Sequence, residues 1–203
     1  MSYIIGTFFI LTVELFGDVR TAPVPTVKIS QTYSLSLMLQ TSSANLLNTY
    51  LQYQGSPFSD PGFSAPDLQL AVLPTVAIGF LAWRSMAVEE RLSSNIRAYS
   101  VYIEFLQLVM DDQSQLNPAA KDLKDALEHH HTHLQGLKSN ISEIMTNMGF
   151  QVPVVADTIS STSFNVSEFQ RKIRGYVFCK ELKLWIDRTV RDFQLLKTTF
   201  PTA

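Results

Sequence analysis

From Leu123 to Met148 one stripe of side chains recurs every three or four residues: Leu123, Leu127, His130, Leu134, Leu137, Ile141, Ile144 and Met148. That is the period of an α-helix with a single narrow apolar face, and Gly149 stands where such a helix ends. Three further segments carry the same pattern. The first runs roughly from Gln31 to Gln54, with a stripe of Leu35, Leu39, Ser42, Leu46, Tyr50 and Tyr53. Gly55 is placed to stop it and Pro57 to prevent a restart. The second runs roughly from Val76 to Asp111 through Val88, Leu92, Ile96, Tyr99, Ile103, Leu106 and Met110. The last runs from about Ser167 to Thr199 through Phe178, Leu182, Trp185, Thr189, Phe193 and Leu196.

The connections between these helices carry the topology. Ser56 to Pro74 is long and holds Pro57, Pro61, Pro66 and Pro74. Phe150 to Asn165 is also long, rich in Ser, Thr, Val and Pro, and its pattern allows a short strand at Val152 to Val155. The middle connection is short, with Asn117-Pro118 read as an N-cap and a first-turn proline opening the third helix. Short connections make antiparallel neighbours, whereas long ones let consecutive helices run parallel. The expected fold is therefore all-α: a long-chain four-helix bundle, up-up-down-down, with two long crossover loops.

A chain of 203 residues with 46% hydrophobic residues supplies one domain with a sizeable core. A net charge of −2 gives no basic field for nucleic acid. Ile4 to Phe16 is apolar but for Thr7, Thr12 and Glu14, and is too short to span a bilayer. It reads as the apolar region of a secretory signal peptide, cleaved after Gly17 or near Ala22. The competing reading is an amphipathic tail on an unconventionally exported or cytosolic protein. The expected division is residues 1–22 as signal peptide and short tail, and 23–203 as the helical domain. No membrane insertion is expected. Cys179 is the single cysteine, which excludes an intramolecular disulfide. Its neighbours Tyr176, Phe178 and Leu182 make it a small buried hydrophobe rather than a nucleophile.

Catalytic signatures are missing from the sequence: no Gly-rich phosphate loop, no Gly-x-Ser-x-Gly elbow and no Cys-x-x-Cys pair occurs. No enzyme activity, cofactor or metal is expected. His129 and His133 are four apart and match half of a zinc helix, but no Glu follows the first and no third ligand is in sight. The cluster is read as a polar helix face, with His130 as a core histidine. Glu89-Glu90 and Asp111-Asp112 are read as solvated helix positions. Asn140-Ile141-Ser142 and Asn165-Val166-Ser167 are glycosylation sequons, of which Asn165 is the more credible acceptor.

The last helix opens with Ser167-Glu168-Phe169-Gln170, a capping box. This start fixes the direction of Phe169, with Lys172 one turn on along the same face. An exposed aromatic beside a cation has the make-up of a binding hot spot. Phe-x-x-Lys here, with Gly175 three residues later, resembles the receptor-binding motif of the ciliary neurotrophic factor and cardiotrophin branch of the interleukin-6 cytokines. Gln31-Thr32-Tyr33-Ser34-Leu35, Tyr50-Leu51-Gln52-Tyr53-Gln54-Gly55-Ser56-Pro57-Phe58 and Pro61-Gly62-Phe63 resemble the first helix and following loop of the cardiotrophins. Trp83-Arg84-Ser85 and His133-Leu134-Gln135-Gly136-Leu137 look closest to cardiotrophin-like cytokine factor. The fragments cover roughly residues 28 to 198.

The resemblance implies a secreted, extracellular cytokine that works through three surfaces. Phe169 and Lys172 would contact the leukaemia inhibitory factor receptor. Trp83, Arg188 and Arg191 match positions where a non-signalling alpha receptor of the ciliary neurotrophic factor type would bind. The exposed face of the first and third helices, with Tyr33, Leu37, Lys121 and Lys124 as candidates, would meet the shared signal-transducing receptor. A rigid ligand, monomeric before it meets receptor, would hold two signalling chains at a set distance so that their Janus kinases phosphorylate each other and STAT proteins. The resemblance leaves open the paralogue and a requirement for a co-secreted partner. The first helix departs from the pattern in its Thr41-Ser42-Ser43 run. The rival class is a helical carrier or scaffold of the apolipoprotein type, a lipid binder with a wide apolar face.

Overall fold

The computed structural model describes residues 25–156 and 166–201. The expected signal peptide and Asn165, the acceptor of the second sequon, lie outside the described residues. Four long helices and one short one form the fold: α1 (Thr26–Tyr53), α2 (Phe80–Ser85), α3 (Val88–Leu116), α4 (Lys121–Asn147) and α5 (Glu168–Thr199). The long helices have 27 to 32 residues, or about 40 to 48 Å at the α-helical rise. α1 packs on α4 and α5, and α3 packs on the same two, so α1 lies diagonal to α3.

Direction follows from which ends meet. Lys28 at the start of α1 pairs with Glu143 near the end of α4, and Tyr53 at its end donates to Asp122 at the start of α4. Tyr50 donates to the Lys172 carbonyl in the first turns of α5, whereas Lys197 lies over the Tyr33 ring. Asp112 at the end of α3 holds Arg174, and Asn95 near its start meets Trp185 and Thr189. α1 and α3 are therefore parallel to each other and antiparallel to α4 and α5, the up-up-down-down bundle that the two long crossovers predict.

Most of the expected stripes form the core, although Leu35, Ser42, Tyr53, Val88, Ile103, Met110 and Met148 are only half-buried and α1 buries Ser36 and Ser43 as well. Leu123, Leu127, His130, Leu134, Leu137, Ile141 and Ile144 are buried on α4, and Phe178, Leu182, Trp185, Thr189, Phe193 and Leu196 on α5. Gly149 takes a positive φ of 75°, while Phe150 N–H reaches the Met145 carbonyl and Gly149 N–H that of Thr146. This closing motif satisfies carbonyls that the helix end would leave orphaned, and it favours glycine at that position.

Three local expectations give way. The second helix does not run unbroken from Val76: α2 covers six residues, and extended backbone at Met86 and Ala87 separates it from α3. The buried Arg91 guanidinium donates to the carbonyls of Trp83 and Met86, which replaces the helical bonds those groups would otherwise make. Asn117 ends α3 instead of capping α4: its N–H reaches the Gln113 carbonyl and its side-chain amide lies 2.8 Å from that of Gln113. Pro118 falls in the intervening turn, and α4 begins at Lys121. Val152 to Val155 forms no strand, because no neighbouring chain pairs with it among the described residues. No helix among these residues is long and apolar enough to cross a membrane.

Candidate functional site

The start of α5 is built as its sequence requires. Ser167 is the N-cap, its hydroxyl accepting from Gln170 N–H while its own N–H donates to Gln170 Oε1 at 2.9 Å. Phe169 follows with 54% of its surface exposed. Its ring rests on Phe58 of the first crossover, with centroids 5.7 Å apart. Phe58 is buried, its ring centre lies 5.1 Å from that of Phe63 with the planes tilted, and both lie against Tyr176. The Tyr176 hydroxyl accepts from Ala65 N–H, and Lys180 donates to the carbonyls of Pro66 and Leu68, which fastens the crossover to α5. Phe169 thus has one face supported and the other open, the condition for an anchor whose orientation is set before binding.

Lys172 is tied down. Its ammonium donates to the Gln54 carbonyl at 2.7 Å, at the C-terminal end of α1, where a cation also complements the helix dipole. Around it the α1, α3 and α5 ends are clasped by polar bonds. Arg174 makes a bidentate pair with Asp112, Arg171 donates to Gln115, and Gln54 donates to Gln113. Asp112, expected to be solvated, is buried by this pairing. Burial drives the Tyr50 phenol well above its usual pKa, so it stays protonated and donates.

The second candidate surface lies at the other end of α5. Trp83 is half-buried, its indole N–H donating to Asp192 Oδ1 at 2.8 Å. The Arg91 guanidinium lies 5.1 Å from the Trp83 ring centre and that of Arg191 lies 5.9 Å away. Arg191 is exposed, as are Phe80 (70%) and Leu81 (80%) on α2. Arg188 is not on this surface. It is buried, stacks 4.7 Å from the Trp185 ring centre and donates to Ser94, because the neighbouring Asp192 carboxylate lies inside the bundle. Burial lowers its pKa, opposed by Asp192.

Asp192 is the residue that sequence reasoning missed. It is fully buried and collects Trp83, Arg91 and Asn95, while Asn95 Oδ1 accepts from Trp185 and Thr189. Its position three residues past Thr189 and seven past Trp185, on the side of the helix that the stripe buries, is the available signal, since a polar residue there must find partners indoors.

Of the candidates on α1 and α4, Tyr33 sits at the seam with α5, half-buried under Lys197, while Leu37 and its neighbour Met38 are 38% and 40% exposed. Lys121 and Lys124 are exposed and pair one turn on with Asp125 and Glu128. Asn140 sits half-buried within α4.

A family model described as plethodontid receptivity factor PRF matches residues 11–202. The chain is 47% identical to cardiotrophin-2 of Mus musculus over 180 residues, 88% of each chain. It is 32% identical to cardiotrophin-1 of Mus musculus over 171 residues, 81% of this chain and 83% of the relative. Ciliary neurotrophic factor of Sus scrofa is 25% identical over 118 residues, 57% of this chain and 59% of the relative. With its bundle topology and these relatives, the chain belongs to the family of that model and to the ciliary neurotrophic factor and cardiotrophin branch of the interleukin-6 cytokines.

Proposed function

We propose that this cytokine is a secreted, non-enzymatic ligand that binds the leukaemia inhibitory factor receptor through Phe169 at the start of α5. The outward face of α1 and α4 engages the shared signal transducer, and the Trp83–Arg191 patch takes an alpha receptor of the ciliary neurotrophic factor type. Bringing the signalling chains together starts JAK-STAT signalling. The observation that carries this reading is Phe169: a large ring held by a capping box, backed by Phe58 and open on its outer side. Lys172 contributes by fixing the first turns of α5 to the end of α1, and Arg188 by holding Asp192 beneath Trp83. The test is binding of wild type and of a Phe169→Ala, Lys172→Ala variant to immobilised leukaemia inhibitory factor receptor, with circular dichroism on both. A folded variant that loses at least ~2 kcal/mol of binding supports the reading. A helical wild type that ignores the receptor, with the alpha receptor added, refutes it.

A further inference from the structure

The fold divides the histidines of His129-His130-His131-Thr132-His133. His130 turns into the core, its Nδ1 2.7 Å from the Ala126 carbonyl and its Nε2 3.2 Å from the Ser42 hydroxyl. His129 and His133 stay on the outer face of α4, one turn apart, with ring centroids 4.0 Å apart and planes at 33°. His133 Nδ1 lies 2.7 Å from the His129 carbonyl. A carbonyl only accepts, so this nitrogen carries the proton and Nε2 presents a lone pair. A carbonyl that fixes the tautomer and the ring in this way is the usual support of a metal-binding imidazole. Among the described residues no hydrogen-bond partner occupies His133 Nε2 or either ring nitrogen of His129. The adjacent carboxylate, Glu128, faces Lys124.

We propose that His129 and His133 chelate a first-row divalent cation, Cu(II) or Zn(II), on the outside of α4. Two metal–nitrogen bonds of ~2.0–2.1 Å at a tetrahedral angle set the nitrogens ~3.3 Å apart. The ring centres stand 4.0 Å apart, and side-chain rotation that splays them turns one nitrogen of each toward a common ion, with His129 exposed and His133 half-buried. Imidazole donors select Cu(II), Zn(II) and Ni(II), with Cu(II) held tightest, and discriminate against Mg(II), which prefers oxygen. With two protein ligands the remaining coordination positions go to water, so the ion exchanges readily.

The test is titration of the full chain with CuCl2, ZnCl2 and MgCl2, by calorimetry and by the thermal unfolding midpoint with and without a chelator. The wild type binds one Cu(II), its midpoint rises, the chelator reverses the rise, and MgCl2 does nothing. His133→Gln lowers Cu(II) affinity at least ~10-fold, since one imidazole cannot chelate. His131→Gln, one position off the pair, keeps wild-type affinity. Both substitutions replace half-buried side chains outside the core and leave the circular dichroism unchanged. Absence of wild-type binding, an equal response to MgCl2, or undiminished binding by a His129→Gln, His133→Gln variant overturns the proposal.

Discussion

Replacing Gly175 by alanine places a methyl group inside a phenol. A Cβ built there overlaps the Tyr50 hydroxyl and lies 2.5 Å from Cζ and 2.7 Å from Cε2 of that ring. Carbon atoms pack at about 3.5 Å or more, so the ring has to retreat by nearly 1 Å. Tyr50 is fully buried and its hydroxyl joins the Lys172 carbonyl to Gln113, so retreat breaks two bonds worth ~1 kcal/mol each. Overpacking adds about 1–3 kcal/mol. Alanine in a helix returns about 1 kcal/mol relative to glycine. The net loss is about 2–4 kcal/mol. Gly136, in the middle of α4 with open space around its Cα, is the control: there alanine stabilises by ~0.5–1 kcal/mol. Urea unfolding followed by far-ultraviolet circular dichroism reads both, with the slope m unchanged. A Tyr50→Leu, Gly175→Ala variant costs less than the sum of its parts, because the shorter side chain removes the collision. If Gly175→Ala stabilises the protein as Gly136→Ala does, the close approach of Tyr50 to Gly175 does not exist.

Asp192→Asn keeps the shape of the buried knot but strips Arg91 and Arg188 of their counter-charge, and costs about 3–5 kcal/mol in urea unfolding; a loss under 1 kcal/mol would mean that the guanidiniums reach water. Ser167→Ala removes the α5 cap and costs about 1 kcal/mol; the frayed first turn also weakens receptor binding through Phe169, and unchanged affinity in a binding assay would separate the cap from the site. Burial pushes the Cys179 thiol well above its usual pKa. Its nucleophilic thiolate is thus suppressed at neutral pH, and thiol reagents label it only in denaturant; rapid labelling of the native protein would contradict this packing.

The long helices and their order were legible because period and loop length are local properties of the sequence. So was the capping box, whose two partners sit three residues apart. What lay beyond reach were side chains that meet across helices. Asp112 reads as a surface carboxylate until Arg174 arrives from 62 residues away, and Asp192 draws no attention until Arg91 arrives from 101 residues away. Phe169 reads as an exposed aromatic and is one, but the support it takes from Phe58 of the first crossover comes from a residue 111 positions earlier. Arg188 and Arg191 are three apart on one helix, yet one is buried and one exposed, a distinction that depends on what packs over each turn. The break after α2 was hidden for the same reason: the residue that caps it is an arginine arriving from α3.

Phe169 and Arg191 stand 22 residues apart on one uninterrupted helix, about 33 Å along its axis at 1.5 Å per residue. Their relation is angular as well as linear. Inserting one residue between them turns one surface about 100° relative to the other, whereas inserting a heptad restores the heading to within about 20° while adding roughly 10 Å. The helix is in this sense a protractor as much as a ruler, and length changes in its middle are tolerated in steps of whole turns rather than of single residues.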